Sequence, residues 1–332
     1  MERHGADIPR RIITIAGRKG GVGKSVIACS IALELGRLGR NVILVDADLG
    51  GANLHTYLGI RAPRYVMSDF LTKRVKTLEE AILETDYAGV RFISSAGNIP
   101  SQANPKFAQK AKIISSLRSL KADYVVVDIG AGSSYDVMDF FSMTDDGILV
   151  TTSEPSSIVN SYGFVKNVLY RRLSLAFRQY SLVTELLKRG MNPDGADGIS
   201  SIPEFMAELE TVSPQCWDKA RTMIASFAPN IVVNMAASDG DAKEGDKLRA
   251  IIGKFLSIEA RCLGQVIEDP VLRISAKRMI PFVVFAPDCK AALCVKEIVQ
   301  RLVSAMGEHI RDTGNPNGKA VDSERSMTAA CP

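Results

Sequence analysis

Gly17-Arg18-Lys19-Gly20-Gly21-Val22-Gly23-Lys24-Ser25 is the stretch on which the fold turns. Before it lies a short β-branched run, Arg11 to Ala16 (RIITIA). After it, Ile27, Ile31, Leu35 and Leu38 recur like one face of a helix across Val26 to Leu38. Gly39 ends that helix, and Asn41 to Val45 (NVILV) reads as a buried strand. Strand, glycine turn, helix and strand in that order make a βαβ unit, which implies a parallel sheet with a right-handed crossover. The glycines reach backbone conformations closed to other residues and let N–H groups converge on an anion. The helix that follows aims its positive dipole end at the same point. Chance would assemble the six specified positions of KGGxGKS in on the order of one window in ten million, which sets aside a plain glycine-rich turn.

Working outward, the pattern recurs. Val90 to Ser94 (VRFIS), Tyr124 to Asp128 (YVVVD), Gly147 to Thr152 (GILVTT), Ile231 to Asn234 (IVVN) and Pro281 to Phe285 (PFVVF) read as further strands, with a helix from Lys106 to Leu120. Their near-continuous apolar character is what a sheet covered on both faces requires. The expected fold is α/β: a doubly wound, mostly parallel sheet of seven or eight strands with helices on both faces. The interval between the Gly147 and Ile231 strands is long for one crossover, so residues 170–228 read as a helical insertion. Residues 11–311 then form one domain, residues 1–10 an N-terminal extension, and residues 312–332 a disordered tail, being aperiodic and rich in small and polar residues.

Composition narrows the classes. The 332 residues are 46% hydrophobic and 23% charged, as in a globular protein with a sizeable core. The longest uncharged apolar stretch, Met279 to Pro287, carries two prolines and is far short of the roughly twenty residues of a membrane span. Met1 to Arg11 has no apolar segment of the secretory kind. A net charge of +4 is too small to argue for nucleic acid by itself. The six cysteines form no CxxC pair and only three histidines are present, which disfavours structural zinc and a disulfide framework.

The strand–glycine loop–helix context is that of a phosphate-binding P-loop. Gly20, Gly21, Val22, Gly23, Lys24, Ser25 and Val26 would line the phosphates, Lys24 reaching the β- and γ-phosphates and the Ser25 hydroxyl ligating Mg²⁺. The loop departs from G-x-x-x-x-G-K-S at its first position, Arg18, and carries a second lysine, Lys19. Asp46 and Asp48 fall at the carboxyl end of the second strand, and VVVDIGAG ends the Tyr124 strand with Asp128 and a glycine, Gly132, in the position of a switch. Open parallel sheets bind ligands at that edge. Asp128 would hold Mg²⁺ through water, and Asp48 would orient the attacking water and stands with Ser25 and Asp128 as a candidate metal-site residue.

The run from Lys19 to Ser25 resembles the deviant Walker A motif of the ParA/MinD group of P-loop ATPases. That resemblance implies ATP and Mg²⁺ as cofactors and slow hydrolysis in a nucleotide-sandwich homodimer, with Lys19 reaching the partner's phosphates. It also implies adenine contacts from Asn234 and from the loop at Pro287. LGGANLH (Leu49 to His55) and EPSSIVNSYGFVK (Glu154 to Lys166) look most like the MinD and FlhG branch. The expected function is thus an ATP-driven dimerising switch that places or regulates flagellar or division machinery, stimulated by a protein partner. The resemblance further implies a cytoplasmic location, peripheral at the inner face of the membrane where an amphipathic C-terminal helix exists. Here Ala291 to Met306 reads instead as a core-packing helix, and Asp312 to Pro332 holds one hydrophobic β-branched residue, Val321, and no aromatic. The alternative is a ParA-type partitioning ATPase binding DNA non-specifically, for which Arg171, Arg172 and Arg178 are candidates. A nitrogenase-type iron protein is disfavoured, since no cysteine lies between Cys29 and Cys216, and an amidoligase would need an appended glutaminase that is not seen.

Overall fold

The computed structural model describes residues 11–48, 51, 53–95, 107–195 and 197–307. The expectations for residues 1–10 and 312–332 lie outside them. The first part of the chain alternates strand and helix: β1 (Arg11–Ala16), α1 (Lys24–Arg37), β2 (Val42–Ala47), the short α2 (Leu54–Tyr57) and α3 (Met67–Leu71), β3 (Leu83–Glu84), β4 (Val90–Ile93), α4 (Phe107–Ser119), β5 (Tyr124–Ile129), α5 (Tyr135–Phe141) and β6 (Ile148–Thr151). Four consecutive helices follow, α6 (Pro155–Ala176), α7 (Ser181–Met191), α8 (Ile202–Val212) and α9 (Pro214–Ser226). Then come β7 (Asn230–Ala236), α10 (Ala242–Leu256), β8 (Arg261–Ile267), α11 (Val271–Lys277), α12 (Phe282–Phe285) and α13 (Lys290–Ala305).

The strands form one eight-stranded sheet in the order β3-β4-β2-β5-β1-β6-β7-β8. Every pairing is parallel except β3 with β4. The chain leaves β1 toward β2 on one side and leaves β5 toward β6 on the other. A crevice is expected at the carboxyl ends of β1 and β5, where these connections diverge. The strands are buried on both faces, so period-two alternation divides their apolar residues between two cores. Tyr124 and Val126 pack with α1 and α13, while Val125, Val127 and Ile129 pack with α4, α5 and α6. By the same parity Asp46 and Asp128, register partners on β2 and β5, stand on the α1 side.

Three readings of the sequence need correction. PFVVF is not a strand but one helical turn, α12, preceded by Pro281 at φ −57° and burying Phe282 and Val283 beneath α1. An apolar run of five residues has no periodicity that separates the two states. The strand at that edge is β8, RCLGQVI, whose apolar signal is broken by Gly264 (φ +136°) beside a register shift against β7. Finally, Tyr170 lies inside the continuous helix α6, so the chain breaks only after Ala176. Helices α7, α8 and α9 bury Leu187, Phe205, Leu209 and Ile224 in the same core as Tyr170, Phe177 and the sheet. Helix α13 packs inward through Val295, Ile298, Val299 and Leu302, as its spacing predicts.

Candidate functional site

The glycine loop folds as a nest. Gly21 and Gly23 take φ of +82° and +88°, which only glycine adopts without strain. Gly23 is also the N-cap of α1, whose first turn has no side-chain cap and no acidic residue. Its leading N–H groups are therefore left for an anion. Lys24, the first residue of α1, is only 8% exposed. Val22 is buried beneath the loop, and its carbonyl accepts a 2.8 Å hydrogen bond from the Asn234 side-chain amide at the end of β7. A Cβ at Gly23 would run into that amide. Asn234, expected to contact a base, thus also clamps the loop.

Two aspartates at the sheet edge have different surroundings. Asp128 is 2% exposed, and its Oδ1 has no hydrogen-bond partner. Burial pushes its pKa up to about 7, with the Ser25 hydroxyl and Lys24 opposing the rise and Asp46 and Asp48 adding to it. An orphaned carboxylate oxygen beside a serine hydroxyl is a donor set that suits Mg²⁺, which takes few protein oxygens and completes its shell with water and phosphate. Asp46 is also raised by burial, to about 6, but its oxygens are occupied. They accept from Asp48 N–H (3.1 Å), the Ser95 hydroxyl (3.1 Å) and Leu54 N–H (3.2 Å). Asp48 sits between Gly51 and Gly130, and a Cβ at Gly130 would lie 3.3 Å from its Oδ1. Gly132 takes φ +110° just before Ser134, whose hydroxyl accepts from Val137 N–H to cap α5.

Lys19 stands at the rim, 56% exposed, 3.4 Å from Glu154 at the start of α6. Arg18 lays its guanidinium along α6 at Gly163. Beside the loop an apolar cleft of about 200 Å³ is lined by Val26, Cys29, Tyr57, Met235, Leu272 and Phe282, among others. Met235 takes φ +56° at a register shift between β7 and β8. Pro287 is exposed and lies beyond α12, where Asp288 pairs with Lys296 of α13 at 3.7 Å. The segment that emerges beside Asn234 is instead the one after β8, since Asn234 is in register with Val266. Sequence reasoning missed Ser95 and that segment; two serines after a strand carry no signal apart from a turn.

Two of the three candidate DNA-binding arginines are otherwise engaged. Arg171 forks onto Asp139 (3.0 and 3.2 Å), which with Asp136 also holds the buried Lys110. Arg172 pairs with Asp145 and stacks over Phe227. Arg178 is exposed.

A parallel sheet with a glycine nest at the start of α1 defines a P-loop nucleotide-binding fold. Residues 9–166 match the family described as "ParA: NUBPL iron-transfer P-loop NTPase". Two relatives of the MinD/FlhG branch are similar to this chain over about half its length. It is 33% identical over 168 residues to the antiactivator FleN of Pseudomonas aeruginosa, covering 50% of this chain and 59% of FleN. It is 32% identical over 162 residues to the flagellum site-determining protein YlxH of Helicobacter pylori, covering 47% and 53%. The chain thus spans about half the length of the curated relatives it matches. The fold is also that of the septum site-determining protein MinD of Pyrococcus horikoshii, solved with Mg-ADP, at a TM-score of 0.59 and 21% identity over 90% of this chain and 98% of that one.

Proposed function

We propose that this chain binds Mg-ATP at the Gly17–Ser25 nest and hydrolyses it slowly as a homodimer, switching the binding of a protein that places or regulates a flagellar or division structure. The observation that carries the reading is the pairing of an uncapped glycine nest holding a buried Lys24 with the orphaned Asp128 oxygen beside Ser25. Lys24 and the loop N–H groups would bind the β- and γ-phosphates, with Gly20, Gly21, Val22 and Gly23 shaping the nest. Ser25 and Asp128 would hold Mg²⁺, which when bound neutralises phosphate charge. Asp48 would orient the attacking water, and Lys19, freed from Glu154, would reach the partner's phosphates. The base would enter the cleft beside Val26 and Met235, under Asn234.

The kinship with FleN, YlxH and MinD supports a placement or regulatory role. No described helix is long and apolar enough to cross a membrane, and peripheral contact with one is not needed for this scheme. DNA partitioning is less favoured, because Arg171 and Arg172 are committed to Asp139 and Asp145. Replacing Asp48 with Ala tests the switch. The water loses its orienting group while the phosphates keep theirs, so the variant should elute as a dimer with ATP and as a monomer without it. A variant that stays monomeric at saturating ATP removes the role given to Asp48. The same locked dimer, used as bait, should retain the protein partner.

A further inference from the structure

Two carboxylates occupy the same register position on neighbouring strands, Asp46 on β2 and Asp128 on β5, yet only one has an oxygen to spare. Asp46 is 1% exposed and spends its acceptors inside the protein. Its Oδ1 accepts from Asp48 N–H and its Oδ2 from Leu54 N–H, so one side chain holds the main chain at both residues. Ser95, 4% exposed just past β4, adds the third contact. Its Oγ lies 3.1 Å from Asp46 Oδ1 and 3.1 Å from the Asp48 carbonyl oxygen. A single hydroxyl proton is therefore held between the anchoring carboxylate and the main chain of the residue it anchors. This polar cluster is buried, where a missing partner is costly and geometry is tightly specified.

We propose that Asp46 and Ser95 are positioning residues for hydrolysis: they fix the main chain at Asp48, and so the direction of its carboxylate, without touching nucleotide. The inference rests on the reading of Asp48 as the water-orienting group. Because the clamp grips Asp48 and Leu54 and not the phosphate nest, its loss should lower turnover and leave nucleotide affinity in place.

The decisive comparison is Ser95→Ala, which removes one oxygen and leaves both strands intact, against wild type. Three measurements are needed: affinity for a fluorescent ATP analogue with Mg²⁺, single-turnover hydrolysis, and amide hydrogen exchange at Asp48 and Leu54. The expected result is affinity within twofold of wild type and hydrolysis slowed about tenfold, the worth of one hydrogen bond to a charged group. Exchange at Asp48 should be faster while β1 and β5 stay protected. Asp46→Asn places an NH₂ against one of two N–H donors, so it should slow hydrolysis at least as much. The double variant should be no slower than Asp46→Asn alone, as expected of one shared cluster. Unchanged hydrolysis in Ser95→Ala, or affinity falling in step with rate, would overturn the positioning role alone. A wild-type chain that binds Mg-ATP and never turns it over would overturn the hydrolytic reading beneath it.

Discussion

Replacing Asp128 with Asn should move stability and nucleotide binding in opposite directions. Burial raises this carboxyl from 3.8 to about 7, so at pH 8 the nucleotide-free fold carries an ionised group it does not solvate. A shift of roughly three units at about 1.4 kcal/mol each sets an upper figure of about 4 kcal/mol. Asn has the same shape and no charge, but it keeps a buried oxygen without a partner, so the recovery should be about 2–4 kcal/mol. For a chain of this size that corresponds to a rise in Tm of roughly 3–6 °C. The sign is fixed by proton linkage. With the folded pKa above the unfolded one, the native state holds a proton between about pH 4 and pH 7 that the unfolded chain has released, so wild-type stability falls as pH rises through that window. The gain from Asp128→Asn should therefore be full above pH 7 and vanish near pH 4. The slope below about pH 6 contributed by Asp46 should remain in both proteins. Mg-ATP offsets that gain. Wild type at a hundredfold excess over Kd gains about 2.7 kcal/mol, most of which the variant should lose with its metal ligand. Thermal melts at pH 5.5 and pH 8, with and without Mg-ATP, read all four corners. A variant less stable than wild type at pH 8 without nucleotide, or equally stabilised by Mg-ATP, would contradict the part given to Asp128.

Two further substitutions probe the same site. Lys19→Ala removes an exposed cation whose contact with Glu154 adds little to stability, so melting should be unchanged and nucleotide affinity kept, while ATP-dependent dimerisation on a sizing column and turnover both fall; unchanged turnover would remove the sandwich-dimer hypothesis. Gly130→Ala sets a methyl 3.3 Å from Asp48 Oδ1 and should slow turnover severalfold with affinity kept, as read by single-turnover kinetics.

The parts of this protein legible in its sequence are those where the backbone itself demands a residue type. Gly21 and Gly23 are written into the chain because positive φ admits little else, and the apolar runs of β2 and β5 because both sheet faces are covered. Asp128 was readable from its place at a strand end. What was hidden depends on contacts across distant segments. Asn234 meets Val22 across 212 residues, and Ser95 meets Asp46 across 49; neither spacing leaves a local trace. The exchange of β8 for PFVVF has a local cause: Gly264 and Gln265 break the apolar run of the true strand, while Pro281 precedes an apolar run that turns out to be helical. The helices α7 to α9 read as an insertion by length alone, and only packing shows that Phe205 and Ile224 belong to the main core.

The claim beneath all of this is that a triphosphate is held by main-chain N–H groups and Lys24 at the start of α1. Calorimetric titration of the wild-type chain with Mg-ATP, repeated with Lys24→Ala, tests it most directly. One site per chain is expected, with heat that disappears in the variant. No binding by the wild type, or equal binding by both, would contradict it.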